Sequence, residues 1–503
     1  MKVEDILKKD SFRRAKPLPL DSSDKGGVAD YEANSRHCPI QYCYPTQDDF
    51  LREFNPESHN INSLKYYPNL FFTDGQSPSS YKAKVRSRVA IAWQRRIHTK
   101  RLVALTGYDP DITASRSKTD AASIENLALF KEGWADKGMD TAVHLAIKSD
   151  LKVGDVAFCG YKHEGTFGYR LFAYDKGDIL YPHYDPMTGK LAVFGRKFRR
   201  TIQNKEGQID TIQYLDVYDK TNYTQYRTLA SWESREGDAE WIVEVESQPH
   251  MFPDIPVAYH RYGEPCWAAS QSLIEQNELA LSQLAENNAQ YALRILYALG
   301  AEFEMDGATD GTPTQINSSD PNAKIGFLDS ADKSQSYELE LNTQAKEIMR
   351  CSFCVETPEL KSGSDVSSLT VKMLNADAYL KALDDAREYQ SFLDDIKVIF
   401  IEGYGTESGK VADFNKLHVS IKLQPWVFMS ETEVVNTLVQ LVSIGVLSRR
   451  SATEYAYETL GLGSVDEAER VLDEAHEELV REGKLTQQTT TNPVNARRNA
   501  QNA

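Results

Sequence analysis

Cys351-Ser-Phe-Cys354 is the one pair in this sequence with the spacing of a reactive or metal-binding motif. A redox C-x-x-C needs a thiolate stabilised at a helix N-terminus inside a βαβ unit. Here the pattern predicts the pair at the C-terminal end of a helix, where the dipole opposes a thiolate. A zinc site would need a second pair, and Cys38 and Cys43 lie far off in the sequence. Cys351 and Cys354 are therefore expected to be small buried hydrophobes, with a thiol or zinc enzyme built on them as the remote alternative. The six cysteines are too few and too scattered for a disulfide framework, which leaves reduced thiols as the expectation.

The remaining candidates are weaker. Asp306 to Asp310 is acidic with a glycine but lacks the alternating ligands of a calcium loop. No G-x-x-x-x-G-K-[ST], H-E-x-x-H or G-x-S-x-G occurs. The sequence thus predicts no catalytic residue, no cofactor and no metal. Lys82 to Arg101 carries eight basic residues and no acid, with Tyr81 and Trp93 nearby, and could be a nucleic-acid patch. Its Val/Ala/Ile stripe argues instead for one buried face, and for Arg88, Arg95 and Arg96 meeting acids of neighbouring copies. Net charge is −17 over 503 residues, which argues against a protein that grips phosphates over a broad surface.

The elements that would position these residues alternate in period. Residues 1–30 read as an arm with little core of its own, 47–60 as a short helix and 61–80 as an irregular loop. An amphipathic helix is predicted from Ser80 to Leu105, with Val85, Val89, Ala92 or Trp93, Ile97 and Leu102 on one side. Helices follow over 120–134 and 139–152, the latter closed by Gly154. Val156–Tyr161 and Tyr169–Tyr174 form a hairpin, and further strands lie near 190–200, 209–219, 223–231 and 239–247, as in a half-exposed antiparallel sheet. A helix over 267–294 presents Leu273, Leu279 or Ala280, Leu284, Asn288 and Tyr291. The acidic, β-rich segment 295–340 carries nine acids against two lysines.

A helix over 342–355 is stopped by Pro358. The polar loop 358–368 precedes a long helix from Leu369 to Glu402 with Gly403 as its C-cap, roughly 50 Å long at about 1.5 Å per residue. A strand over 417–426 leads into helices opened by the capping boxes Ser430–Glu433 and Ser464–Glu467. Ala468, Leu472, Ala475 and Leu479 make a short seam that packs within the chain, and the last 20 residues are a polar tail. No apolar run approaches the ~20 residues of a membrane span and no signal segment opens the chain. A soluble protein made in a cytoplasm is expected.

The order of these elements resembles the portal proteins (head-to-tail connectors) of tailed bacteriophages, of the long-tailed siphophage type. The resemblance rests on Thr106-Gly-Tyr-Asp-Pro110 closing a basic helix and on the unit from Gly154 to Tyr181-Pro182. It rests also on Phe252-Pro-Asp-Ile-Pro-Val257 leading into a long helix, on the succession of helix, acidic β-rich piece, helix, loop and long helix over 267–403, and on Ile444-Gly-Val-Leu-Ser448. It covers roughly residues 80–480. One departure is the loop Glu359–Asp365, which has one glycine where relatives often have several.

The resemblance implies an α+β, elongated portal-type subunit assembling into a ring, usually of twelve copies. Its parts would be an N-terminal arm (1–30), a wing of helices and antiparallel sheet (31–262), a stem helix (263–294), a clip (295–340) and a second stem helix (341–357). A tunnel loop (358–368), a long helix with a wing strand (369–429), crown helices (430–482) and a disordered tail (483–503) complete it. Lys361, Ser362, Gly363, Ser364 and Asp365 would face the DNA channel, and Glu302, Glu304, Asp306 and Asp310 of the clip would face the motor and adaptor.

Implied partners are double-stranded DNA passing without sequence recognition, the terminase large subunit, a head-completion adaptor, and the major capsid and scaffolding proteins, with no membrane. The place would be one capsid vertex of the virion. Twelve copies would carry roughly −200, so a ring should let DNA slide rather than bind it. A capsid or baseplate subunit is the competing structural reading.

Overall fold

The structure, a computed structural model, describes residues 3–7, 16–17, 42–43, 46–73, 81–114, 121–203, 209–228, 241–291, 296–299, 302–304, 315–317, 324–327, 334–354, 368–425, 431–460 and 474. The chain divides into two compact units. One comprises Met1–Pro358 with Asp377–Trp426, and the other Glu359–Ala376 with Val427–Ala503.

The helices used below are α1 Gln47–Phe54, α2 Trp93–Thr106, α3 Ala121–Asp136, α4 Met139–Val153, α5 Gln271–Tyr291, α6 Ser334–Cys351, α7 Ser368–Glu388, α8 Gln390–Ser408 and α9 Val411–Leu417. Two more, α10 Glu431–Ser443 and α11 Arg449–Leu460, belong to the second unit. This mixture of helices and antiparallel sheets is the expected α+β class.

The short strands β1 Leu70–Thr73, β2 Tyr81–Lys84 and β3 Asp111–Ala114 come first, and residues 156–260, rich in β-branched and aromatic side chains, then build two sheets. Strands β4 Val156–His163 and β5 Thr166–Phe172 pair as a hairpin whose turn, Glu164-Gly165, takes positive φ at both residues, the turn that matches strand twist. β11 Val257–His260 pairs with the other side of β4. Strands β6 Ile179–Tyr184, β7 Leu191–Gln203, β8 Ile209–Tyr218, β9 Asn222–Thr228 and β10 Trp241–Pro249 form a five-stranded antiparallel sheet in sequence order. Ile6, from the N-terminal arm, is buried against Tyr181, Leu215 and Val217 of this sheet.

The main core lies between α4, the β4–β5 hairpin and α8. Met139, Ala142, Val143, Ala146, Ile147 and Leu151 present one helical face of α4, and Phe392, Ile396, Ile399 and Phe400 present one of α8. Phe400 sits edge-on to Phe130, Trp134 and Phe167 at centroid distances of 5.1, 5.1 and 5.7 Å, and stacks on Tyr404 at 5.2 Å. This packing needs Gly403, where a Cβ would run into the Phe167 ring. In the second unit, Leu438 and Ala452 are buried between α10 and α11, and Ser448 Oγ accepts the Ser451 N–H at 3.0 Å to cap α11.

The structure differs from the sequence expectations in several places. Of the helix expected from Ser80 to Leu105, only Trp93–Thr106 is helical. Tyr81–Lys84 is a strand paired with Leu70–Thr73, and 85–92 is extended. The long helix from Leu369 is broken at Tyr389 and runs on to Ser408, so the C-cap is Gly409 at φ 71° and Gly403 is a packing residue inside α8. The short helix ends at Phe54 rather than residue 60, α6 begins at Ser334 rather than residue 342, and the strand expected over 417–426 is confined to Val419–Lys422. The capping box Ser464–Glu467, the seam at Ala468–Leu479 and the tail 483–503 lie outside the described residues.

Candidate interface and channel residues

Cys351 is the last residue of α6 and is exposed, whereas Cys354 is buried beyond a two-residue turn. The Cys354 N–H bonds back to Met349 O at 2.9 Å, and Phe353 takes a φ of 53°, so the pair belongs to a helix-ending turn. Burial pushes the Cys354 thiol up to about 11, against the pull of Arg101, Lys100 and Arg96. A buried thiol of that kind stays protonated and is a poor nucleophile and a poor ligand. Cys266 is likewise buried with its thiol pushed up, chiefly by burial. Among the described residues no group of three or more His, Cys, Asp or Glu side chains is placed to hold a metal.

The basic stretch divides into three situations. Arg86 pairs with Glu286 at 3.4 Å and lies over the Tyr67 ring. Arg88 donates to Tyr67 O at 3.1 Å and to Asn69 Oδ1 at 2.7 Å. Both arginines are thus committed within the chain. Arg101 is buried and donates to Asp385 Oδ2 at 2.5 Å. Burial works against its charge, but Asp385 and Tyr262 outweigh that and raise its pKa. Arg95 and Arg96 are exposed: Arg95 donates to Phe54 O and Asn55 Oδ1, and Arg96 lies over the Trp93 ring.

Residues 85–92 form a strap across α5, and α5 holds it with polar side chains. Ser282 Oγ accepts the Val89 N–H at 2.9 Å, and Glu278 Oε1 accepts the Ile91 N–H at 2.8 Å. The same Glu278 oxygen is 2.6 Å from His59 Nδ1, whose other ring nitrogen lies 2.7 Å from Glu53 O. Trp93 Nε1–H donates to Asn277 Oδ1 at 3.2 Å, and Asn277 Nδ2–H to Gln344 Oε1 of α6 at 3.0 Å.

The inward face of α5 is therefore more polar than expected. Of the expected positions Ala280 is buried, Leu273, Leu279 and Leu284 are only half-buried and Asn288 is exposed, whereas Gln271, Asn277, Glu278, Ser282 and Glu286 are buried together with Ile274. The sequence signal is a polar stripe at helical spacing, and a buried polar face looks like a solvated one until its partners are known.

The remaining candidates are less visible. Glu302–Glu304 is a short strand paired antiparallel with Gln315–Asn317, with Glu302 opposite Asn317 and Glu304 opposite Gln315. Asp306, Asp310 and the loop residues Lys361, Ser362, Gly363, Ser364 and Asp365 lie outside the described residues. No described helix is long and apolar enough to cross a membrane.

Within the described residues, these contacts use buried polar side chains to dock segments of the same chain onto one another. Residues 57–478 match the family model described as "Phage portal protein, SPP1 Gp6-like". The chain belongs to the phage portal protein family. No curated protein matches it. Among solved structures it is similar to a chain from the "Neck of empty GTA particle computed with C6 symmetry", with 11% identity, 73% of this chain and 89% of that chain covered, and a TM-score of 0.36.

Proposed function

We propose that this chain is the portal subunit of a tailed phage, forming a ring at one capsid vertex through which DNA is packaged and ejected. The observation that carries the proposal is the family match across residues 57–478. In this reading 31–262 is the wing, 263–294 and 341–357 are the stem, 295–340 is the clip that meets the terminase motor and later a head-completion adaptor, and 430–482 is the crown. The ring has about twelve subunits, contacts capsid and scaffolding proteins, and conducts DNA without reading its sequence. Its net acidity keeps phosphates from sticking to the wall.

In this reading Lys361–Asp365 lie beside the DNA, because a Gly/Ser/Lys/Asp loop has no core to build. Deleting Lys361–Asp365 should leave folding and ring assembly intact and impair packaging or genome retention. The measurement is a packaging reaction supplied with the cognate ATPase, with ring integrity followed by microscopy. Wild-type packaging and retention from intact mutant rings would overturn the placement of the loop. Wild-type rings that fail to support packaging would overturn the function.

A further inference from the structure

α7 ends at Glu388, α8 begins at Gln390, and Tyr389 at the break still donates its N–H to Asp385 O and accepts from Leu393 N–H, both at 3.0 Å. Around this break two carboxylates, Asp150 and Asp385, are buried. Asp385, in the last turn of α7, is met by Arg101 at 2.5 Å, Lys381 at 2.9 Å and the Tyr262 hydroxyl at 3.3 Å. Asp150, on α4, has no Arg or Lys among these partners. Its Oδ2 is 2.6 Å from His260 Nδ1 and accepts the Tyr389 hydroxyl at 2.7 Å, and its Oδ1 accepts the Tyr262 N–H at 3.4 Å. The His260 ring is stacked on Tyr389, centroids 4.3 Å apart, and leans on Phe392 of α8. One imidazole at the end of β11 therefore touches α4, the break itself and the first turn of α8.

We propose that His260 is a proton-operated lock on the α7–α8 junction: protonated, it pins the junction to Asp150, and on losing its proton it frees the junction to move. The groups facing it fix the direction. From α4 comes Asp150, and from the end of α7 come the carboxylate and backbone of Glu388. The neighbouring positive charges, Arg101 and Lys381, are turned to Asp385. Phe392 of α8 brings no charge, and β11 continues into Arg261 and Tyr262. Burial works against the imidazolium, but Asp150, through its charge and its hydrogen bond, outweighs it and raises the His260 pKa above 6.5, with Glu388 adding to the effect.

A raised folded pKa gives stability that is fully present below the ordinary histidine value and is lost as pH rises through the folded value. Above that point the neutral ring keeps a single N–H, which can serve Asp150 or the Glu388 backbone but not both, and the charge that tied Asp150 to the end of α7 is gone. Unlocking as pH rises through the raised folded value is the consequence, and an apolar junction would have no such response.

Hydrogen exchange of full-length protein, corrected for base catalysis, tests this over peptides covering residues 385–395 between about pH 6 and about pH 9. The junction amides should exchange severalfold faster at the upper end. His260→Gln, whose amide can still donate to Asp150, should flatten that dependence. Tyr389→Phe, which keeps the ring and loses the hydroxyl, should lower protection throughout while keeping the dependence. A flat wild-type profile, or His260→Gln with the wild-type slope, would overturn the lock. Should His260→Gln fail to fold, exchange of histidine C2 hydrogens in wild-type protein reads the titration of His260 directly. A midpoint above the ordinary histidine value supports the lock, and one at or below that value sinks it.

Discussion

Around Phe400 the chain is held by rings, whereas along residues 85–92 it is held by hydrogen bonds that reach out from α5. The first region buries Phe130, Trp134, Phe167, Phe400 and Phe414 in one cluster, in which Phe130 meets Trp134, Phe400 and Phe414, and Phe400 meets Phe130, Trp134 and Phe167. Such packing is redundant and non-directional, and its strength follows the apolar area removed from water. The second region depends on Glu278, Ser282, Asn277 and His59, each placed to satisfy a particular partner. A buried polar group that loses its partner keeps its full desolvation cost, so this docking is specific and brittle. A segment that must follow one path over a helix is fixed better by such bonds than by grease.

Mutation can set the two regions against each other. Phe400→Ala should have the largest effect, about 3–5 kcal/mol by denaturant titration, because it opens a cavity that four flanking rings cannot fill. Glu278→Ala should cost about 2–3 kcal/mol and speed exchange of the Ile91 amide, since one carboxylate oxygen serves both that amide and His59. Ser282→Ala should cost about 1 kcal/mol and affect the Val89 amide alone. A Glu278→Ala cost equal to that of Ser282→Ala would show that the strap is held by its apolar contacts after all.

Arg95→Glu with Arg96→Glu should leave folding within about 1 kcal/mol, because both side chains are exposed. The pair should instead weaken ring assembly, most strongly at low salt, where the new like-charge repulsion is unscreened. Unchanged rings with reduced non-specific DNA binding would assign this stretch to nucleic acid. The smallest effect is expected for Cys351→Ser with Cys354→Ala, which should leave rings and packaging intact. Loss of bound zinc together with loss of rings would restore the metal reading.

What could be read from the sequence follows the same division. The strands from Val156 to Pro249 are rich in β-branched and aromatic residues, and α4 carries an apolar face closed by Gly154, so the strands and α4 emerge close to where the sequence places them. The stretch 85–92 misleads because Val85, Val89 and Ala92 also fit helical spacing. What keeps it extended is a set of acceptors on α5, nearly 200 residues away along the chain, and no local pattern reports them. The break at Tyr389 is hidden for a similar reason. No Pro or Gly marks it, and the groups that hold it, Asp150 and His260, lie on other elements. Arg88, expected from its charge to meet acids of neighbouring copies, bonds Tyr67 O and Asn69 in its own chain, partners that charge counting cannot foresee.

The most direct test of the central claim is electron microscopy of the purified full-length protein. A portal subunit should give closed rings with a central hole wide enough for duplex DNA, about twelve copies around, and the rings should persist when Cys351 and Cys354 are replaced. Monomers, open filaments or sheets without a central hole, across a range of concentration and salt, would contradict it.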